Sequence, residues 1–177
     1  MVPHGHSVLQ VPVPQLEPYV RTRHEHYDQA YVSDDPDFGH AHVTALAPFL
    51  AAESLTPDTL AVVAEIASET MPFEFTLQRI DTFPNGIVHL LPDPSTSFAS
   101  LTRRLWAAFP ECPPYAGEFG DAVPHLTLDA LSTDVTEAST ARAVGPWLPA
   151  RCRAEQLQLA WYEPGACRVL QTWPLGG

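Results

Sequence analysis

Two short stretches carry residues able to do acid–base chemistry at a shared spacing. HVTALAPF begins at His42, and PHLTLDAL holds His125; a threonine follows two positions on in each, Thr44 and Thr127. Along a strand, residues i and i+2 share a face. Each stretch therefore offers an imidazole and a hydroxyl side by side. An imidazole titrates near neutrality, so one can take a proton while another gives one. A hydroxyl can donate to a phosphate oxygen. Two such pairs lining one cleft suit in-line attack on a phosphodiester without a metal. One histidine activates the nucleophile, the other protonates the leaving oxygen, and the threonines hold the non-bridging oxygens. Serine and threonine make up 23 of 177 residues and there are eight histidines, so about one H-x-[ST] arises by chance. A histidine satisfied inside a core is the plain alternative. The context separates the two: both motifs open apolar runs, and both hold the same place in a repeat.

The elements that must position these residues follow from periodicity. Strands are expected at 6–14, 42–49, 73–83, 87–92, 124–131, 153–163 and 167–173. Helices are expected over 14–27, from Thr56-Pro57 to about Glu69, from Ser97, and from Asp134 through Ala143. PNG at 84–86 has hairpin chemistry. In both halves the order is H-x-T strand, helix, long strand, turn, strand. Leu77-Gln78 follows His42 by 35 residues, and Leu157-Gln158 follows His125 by 32. This is a two-copy repeat of roughly 50 residues. It predicts an α+β fold in which two pseudo-twofold lobes of antiparallel sheet line a central cleft, with helices outside. The whole of 1–177 reads as one domain of two interleaved lobes.

Bulk properties narrow the partners. Formal net charge is -12, and all nine basic residues are arginine. A grip on a long nucleic acid tract needs a broad basic face, which this chain lacks. No run approaches the ~20 apolar residues of a membrane helix, and the N-terminus has no signal-peptide pattern. Three cysteines without CxxC spacing, Cys112, Cys152 and Cys167, read as buried thiols of a reducing compartment. The expectation is a cytoplasmic monomer. No phosphate loop, dinucleotide fingerprint or G-x-S-x-G elbow occurs, so no cofactor is expected.

At the two motifs the sequence resembles the two-histidine (2H) phosphoesterase superfamily, and within it the 2'-5' RNA ligase / cyclic phosphodiesterase group. The proline-phenylalanine ending of HVTALAPF, the lead-in PPYAGEFGDAVPHLTL and the 83-residue gap between the histidines carry the likeness, which runs from HSVLQVPVP to the last strand. His40 stands where such sequences often place a proline. The resemblance implies a bilobal fold and metal-independent hydrolysis of a 2',3'-cyclic phosphate or a 2'-5' linkage. The substrate is then a small nucleotide or an RNA end. It makes His42 and His125 the acid–base pair and Thr44 and Thr127 the phosphate holders.

Other residues complete the candidate site. Arg23, with Arg21 and Arg79, offers positive charge. Arg103, Arg104, Arg142 and Arg151 read as solvated helix or loop charges. Phe83 and Tyr162, at the ends of equivalent long strands, and Tyr115 or Phe119 before His125 offer faces on which a base can stack. Trp106, Trp147, Trp173 and Phe49 are assigned to packing. Three H-x-H pairs, His4/His6, His24/His26 and His40/His42, keep open a metal-dependent hydrolase. HEHYD at 24–28, however, lies in a helical pattern, where i and i+2 diverge. A nucleotide-binding module without turnover is the third reading, and it has no need of two intact motifs.

Overall fold

A computed structural model describes residues 5–118 and 122–177; His4 and Phe119 lie outside them. Eight strands form one sheet. They are β1 (His6–Pro12), β2 (His42–Leu46), β3 (Phe73–Thr82), β4 (Ile87–Asp93), β5 (Leu126–Ala130), β6 (Ala150–Ala154), β7 (Gln156–Tyr162) and β8 (Arg168–Pro174). Their order is β6-β3-β4-β5-β2-β1-β7-β8, and every pairing is antiparallel. Four α-helices accompany them: α1 (Glu17–Tyr27), α2 (Pro57–Glu69), α3 (Thr96–Ala108) and α4 (Glu137–Val144). The expected α+β fold is present, with one difference. The two sheets are halves of a single sheet, joined where Val43 of β2 pairs with Leu126 of β5.

The halves are interleaved. β2 sits with β1, β7 and β8, while β5 sits with β4, β3 and β6. The hairpin that follows the first motif thus joins the second motif's half, and the last hairpin of the chain joins the first's. The helices cross as well. On α3, packed against β2, the Thr102 hydroxyl donates to the Ala45 carbonyl at 2.7 Å. On α1, packed against β5, Arg23 Nε donates to the Asp129 carboxylate at 2.5 Å.

Local sequence explains where the elements begin and end. Thr56 caps α2 by accepting the Thr59 N–H at 3.3 Å, with Pro57 in the first turn as expected. Helix α4 starts at Glu137 rather than near Asp134. Thr136 accepts the Ser139 N–H at 3.0 Å while the Ser139 hydroxyl accepts the Thr136 N–H at 2.9 Å. That reciprocal cap outweighs a lone aspartate. The segment expected as one strand over 153–163 is two, β6 and β7. In β6, Ala150, Cys152 and Ala154 are buried while Arg151 and Arg153 point outward. This alternation marks a strand with one buried face.

The core joins Leu9, Val11, Val43, Leu77, Leu90, Leu126 and Leu128 from the sheet to Val63, Phe98, Leu101 and Leu105 from the helices. Each fully buried aliphatic side chain contributes about 1.5–3 kcal/mol. Trp173 and Phe49 are buried as expected, but Trp106 and Trp147 are 42% and 40% exposed. The three cysteines are buried, free thiols. Among the described residues no helix is long and apolar enough to cross a membrane.

Candidate active site

The motif residues meet at the centre of the sheet. Val43 and Leu126, which pair across the join, are fully buried. Their neighbours therefore face the other way. Counting one residue outward from that pair sets His42 level with Thr127, and Thr44 level with His125. All four side chains share the open face and are half-buried. Each imidazole thus stands across from the other motif's hydroxyl, within reach of a cross-strand neighbour. Among the described residues, neither threonine hydroxyl has a hydrogen-bond partner in the protein.

Both rings are oriented by main-chain carbonyls. His42 Nδ1–H donates to Gly39 O at 2.9 Å and His40 O at 3.1 Å. His125 Nδ1–H donates to Val123 O at 2.7 Å. A carbonyl accepts only, so each ring carries its proton on Nδ1 and leaves the Nε2 lone pair available. Burial pushes His42 down to about 4, against the pull of the Gly39 carbonyl. Burial also holds His125 below the ordinary histidine value, opposed by the Val123 carbonyl.

A buried polar frame holds the carbonyls that hold His42. Gln10, opposite Thr44 on β1, donates through Nε2 to Gly39 O at 3.1 Å and to Gln158 Oε1 at 2.8 Å. Gln158 Oε1 also accepts the Gly39 N–H at 3.2 Å. The Tyr162 hydroxyl donates to Gln10 Oε1 at 2.6 Å. Glu17 completes the frame from α1. It accepts His40 Nδ1–H at 2.6 Å, His40 N–H at 3.2 Å and Ala41 N–H at 2.8 Å. Burial raises the Glu17 carboxyl, but these donors outweigh burial and bring it below its ordinary value.

Around His125 the walls are aromatic. Phe83 meets the imidazole edge-on at 4.8 Å and stacks on His89 at 3.7 Å. Tyr115 lies 6.1 Å away, nearly parallel to the His125 ring. Its backbone φ of 53° is left-handed, a conformation that a non-glycine residue holds at some cost. Tyr162 sits edge-on to His42 at 6.2 Å. Phe83 and Tyr162 thus occupy corresponding places, one beside each motif histidine. His89, opposite Thr127 on β4, is buried; its Nδ1–H donates to Ile87 O at 3.1 Å and its Nε2 has no partner.

Three expectations about side chains need correction. Arg23 is not free in the cleft, because its guanidinium pairs with Asp129. Arg21 pairs with Glu25 on its own helix. Arg151 is not a loop charge but a residue of β6. The His4/His6 pair lies partly outside the described residues, and neither His40/His42 nor His24/His26 turns two free nitrogens to one point. His40 gives Nδ1–H to Glu17 and accepts the Ser33 N–H on Nε2 at 3.0 Å. His24 and His26 lie on α1, and His24 Nδ1–H donates to Val20 O at 3.0 Å. Nothing in the sequence marks Glu17, Gln10 or His89 as site residues, and Gln158 stands out only as a marker of the repeat. Their roles arise only when distant strands pair, and the local pattern GHAHVT at 39–44 names none of them.

One curled antiparallel sheet with two H-x-T strands at its centre defines the class as 2H phosphoesterase. The chain belongs to the 2'-5' RNA ligase superfamily, whose model matches residues 12–166. Among curated proteins no sequence matches. Solved structures share the fold at low identity. TT0787 of Thermus thermophilus superposes with a TM-score of 0.62 at 19% identity, covering 97% of this chain and 98% of that one. E. coli LigT complexed with 3'-AMP gives a TM-score of 0.56 at 18% identity, covering 97% and 98%.

Proposed function

We propose that this protein is a metal-independent phosphodiesterase acting on a 2',3'-cyclic phosphate, or a 2'-5' linkage, of a small nucleotide or an RNA end. One observation carries the reading: two His–Thr pairs flank the Val43–Leu126 pair on one face, with both imidazoles anchored through Nδ1. Membership of the 2H phosphoesterases supports phosphodiester chemistry, and E. coli LigT has been crystallised with 3'-AMP, ATP and phosphate.

In this reading, substrate phosphate lies between the histidines and accepts from Thr44 and Thr127. His42, the less basic ring, takes the proton of the attacking water at Nε2. His125 enters protonated and gives its Nε2 proton to the ribose oxygen that leaves phosphorus. One P–O bond forms, one breaks, and the proton count is unchanged. Phe83 and Tyr115 offer stacking faces beside His125, while Tyr162 keeps Gln10 and His42 in place. Arg23 fixes α1 to β5.

The test is hydrolysis of 2',3'-cyclic AMP in excess EDTA, with the product isomer read by chromatography. Positioned acid–base groups contribute typically ~10²–10⁴-fold. His42→Ala and His125→Ala should therefore each lower kcat/KM at least ~100-fold. Full activity in either variant would overturn the assignment. Binding without turnover in the wild type would favour the nucleotide-binding module, and activity lost in EDTA would favour the metal-dependent hydrolase.

A further inference from the structure

We propose that the open face of the β6-β3-β4-β5 half binds the single-stranded RNA body leading to the reacting 3' end. This rests on the phosphodiesterase reading above and makes the preferred substrate an oligoribonucleotide rather than a free cyclic mononucleotide. Strand register carries the argument. Thr127 pairs with His89 on β4, and Leu91 follows two residues on. Leu91 pairs with Arg79 on β3. Asp93 pairs with Thr76, and Thr76 pairs with Arg151 on β6. All of these face the same side as His125. They form one surface running outward from the second motif, with the apolar Leu91 set among the polar Thr76, Arg79, Asp93 and Arg151.

A cavity of about 570 Å³ lies along this surface, lined by Thr76, Gln78, Arg79, Asp93 and Ser95 and reaching Val123 and Pro124 beside His125. Arg79 and Arg151 are exposed and, among the described residues, have neither ion-pair nor hydrogen-bond partners. In a chain of net charge -12, unpaired arginines on this face mark a place for phosphates. Asp93, in the cavity, and Asp81, whose Oδ1 accepts the Thr82 N–H at 2.8 Å, share the face. Their carboxylates oppose phosphate but accept from ribose hydroxyls, which RNA has and DNA lacks. Three strand spacings separate β5 from β6, about 14 Å in all. That distance spans several phosphates of a single strand.

Among the described residues, the other half offers no such arginine-bearing face. Gln10, Gln158 and Tyr162 satisfy one another there. The one arginine on that half's strands, Arg168, pairs with Trp161 and so lies on the opposite face, over the Trp161 ring at 6.0 Å. The RNA body therefore leaves the cleft on one side only.

The test compares 2',3'-cyclic AMP with a tetraribonucleotide ending in a 2',3'-cyclic phosphate, using wild type and Arg79→Gln/Arg151→Gln. Both positions are exposed, so the double variant is expected to fold. It should lose about tenfold or more in kcat/KM on the tetranucleotide and stay within about twofold on cyclic AMP. Its log–log salt dependence should become shallower by about 0.7 for each arginine removed. Equal losses on both substrates, or none, would overturn the proposal. Should wild type hydrolyse neither substrate, the activity reading fails, and fluorescence anisotropy with a tetraribonucleotide ending in a 3'-phosphate decides this surface separately. Weaker binding by the double variant upholds the surface; equal affinity overturns it.

Discussion

The surroundings of each imidazole decide whether it can hold a proton near neutrality, and here the two differ. His42 gives its Nδ1–H to two carbonyls and is boxed by Tyr162 and the Glu17–His40 pair; burial brings it to about 4. His125 has one carbonyl and aromatic walls, and burial lowers it too. With His42 neutral and His125 protonated as the working state, kcat/KM should peak between about 4 and 6.5. It should fall at least ~10-fold from pH 5.5 to pH 8 as His125 loses its proton. A substrate phosphate favours both protonated rings, so the kcat profile should lie at higher pH than the kcat/KM profile. Rates measured across pH 4.5–9 check this, and a profile flat or rising from 5.5 to 8 would sink the role assignment. The motif histidines were legible because both stand two residues before a threonine at the head of an apolar run. Glu17 was not, since it lies 23 residues before His40 on a helix whose sequence shows only an ordinary acidic first turn.

At the scale of elements, the turn into β2 is where packing tolerates least. A Cβ on Gly39 would meet Pro12 Cβ at 2.9 Å and Gln158 Oε1 at 3.3 Å. Gly39 also supplies the carbonyl shared by Gln10 and His42. Gly39→Ala must therefore push the turn away from β1 and unseat the His42 Nδ1–H bond. The expected outcome is a loss of 10-fold or more in kcat on cyclic AMP with an intact far-UV spectrum, since a ~1 Å misplacement can cost ~100-fold. Wild-type kcat would show that the turn has slack. The same elements show what periodicity could and could not reveal. β2, β3 and β5 are legible as strands, and Thr56-Pro57 marks the start of α2 to the residue. β6 is hidden in the sequence because its ARCRA alternation runs, after one residue, into the longer pattern of β7. The start of α4 is ambiguous in the sequence because Asp134 resembles a cap while Thr136 and Ser139 cap each other.

At the scale of the molecule, the repeat in the sequence was legible, but its partnering was not. Nothing local tells the β3–β4 hairpin to join β5 rather than β2; hydrophobic burial across the whole sheet decides it. The exchange places Gln158 and Tyr162, from the last part of the chain, around a histidine from the first. His42 and its lowered pKa therefore exist only in the complete fold, and this ties folding to pH. His42, His125, His24 and His6 are all held below the ordinary histidine value, chiefly by burial. The unfolded chain thus binds more protons than the native one below about 6.5. Stability from these groups is complete above that pH and falls as pH drops towards about 4, where His42 titrates in the native state. Glu17 works in a lower window. Its depressed pKa contributes stability above the ordinary carboxylate value, lost only as pH falls through the native value. Relief of the -12 net charge opposes both effects, but carboxylates take up protons mainly below ~4.5. Between pH 7 and 5 the histidines win. The urea midpoint should therefore be lower at pH 5 than at pH 7, in a single transition shared by near- and far-UV signals. His42→Gln should shrink the difference. An unchanged or higher midpoint at pH 5 would mean that the buried imidazoles do not govern the acid stability of the fold.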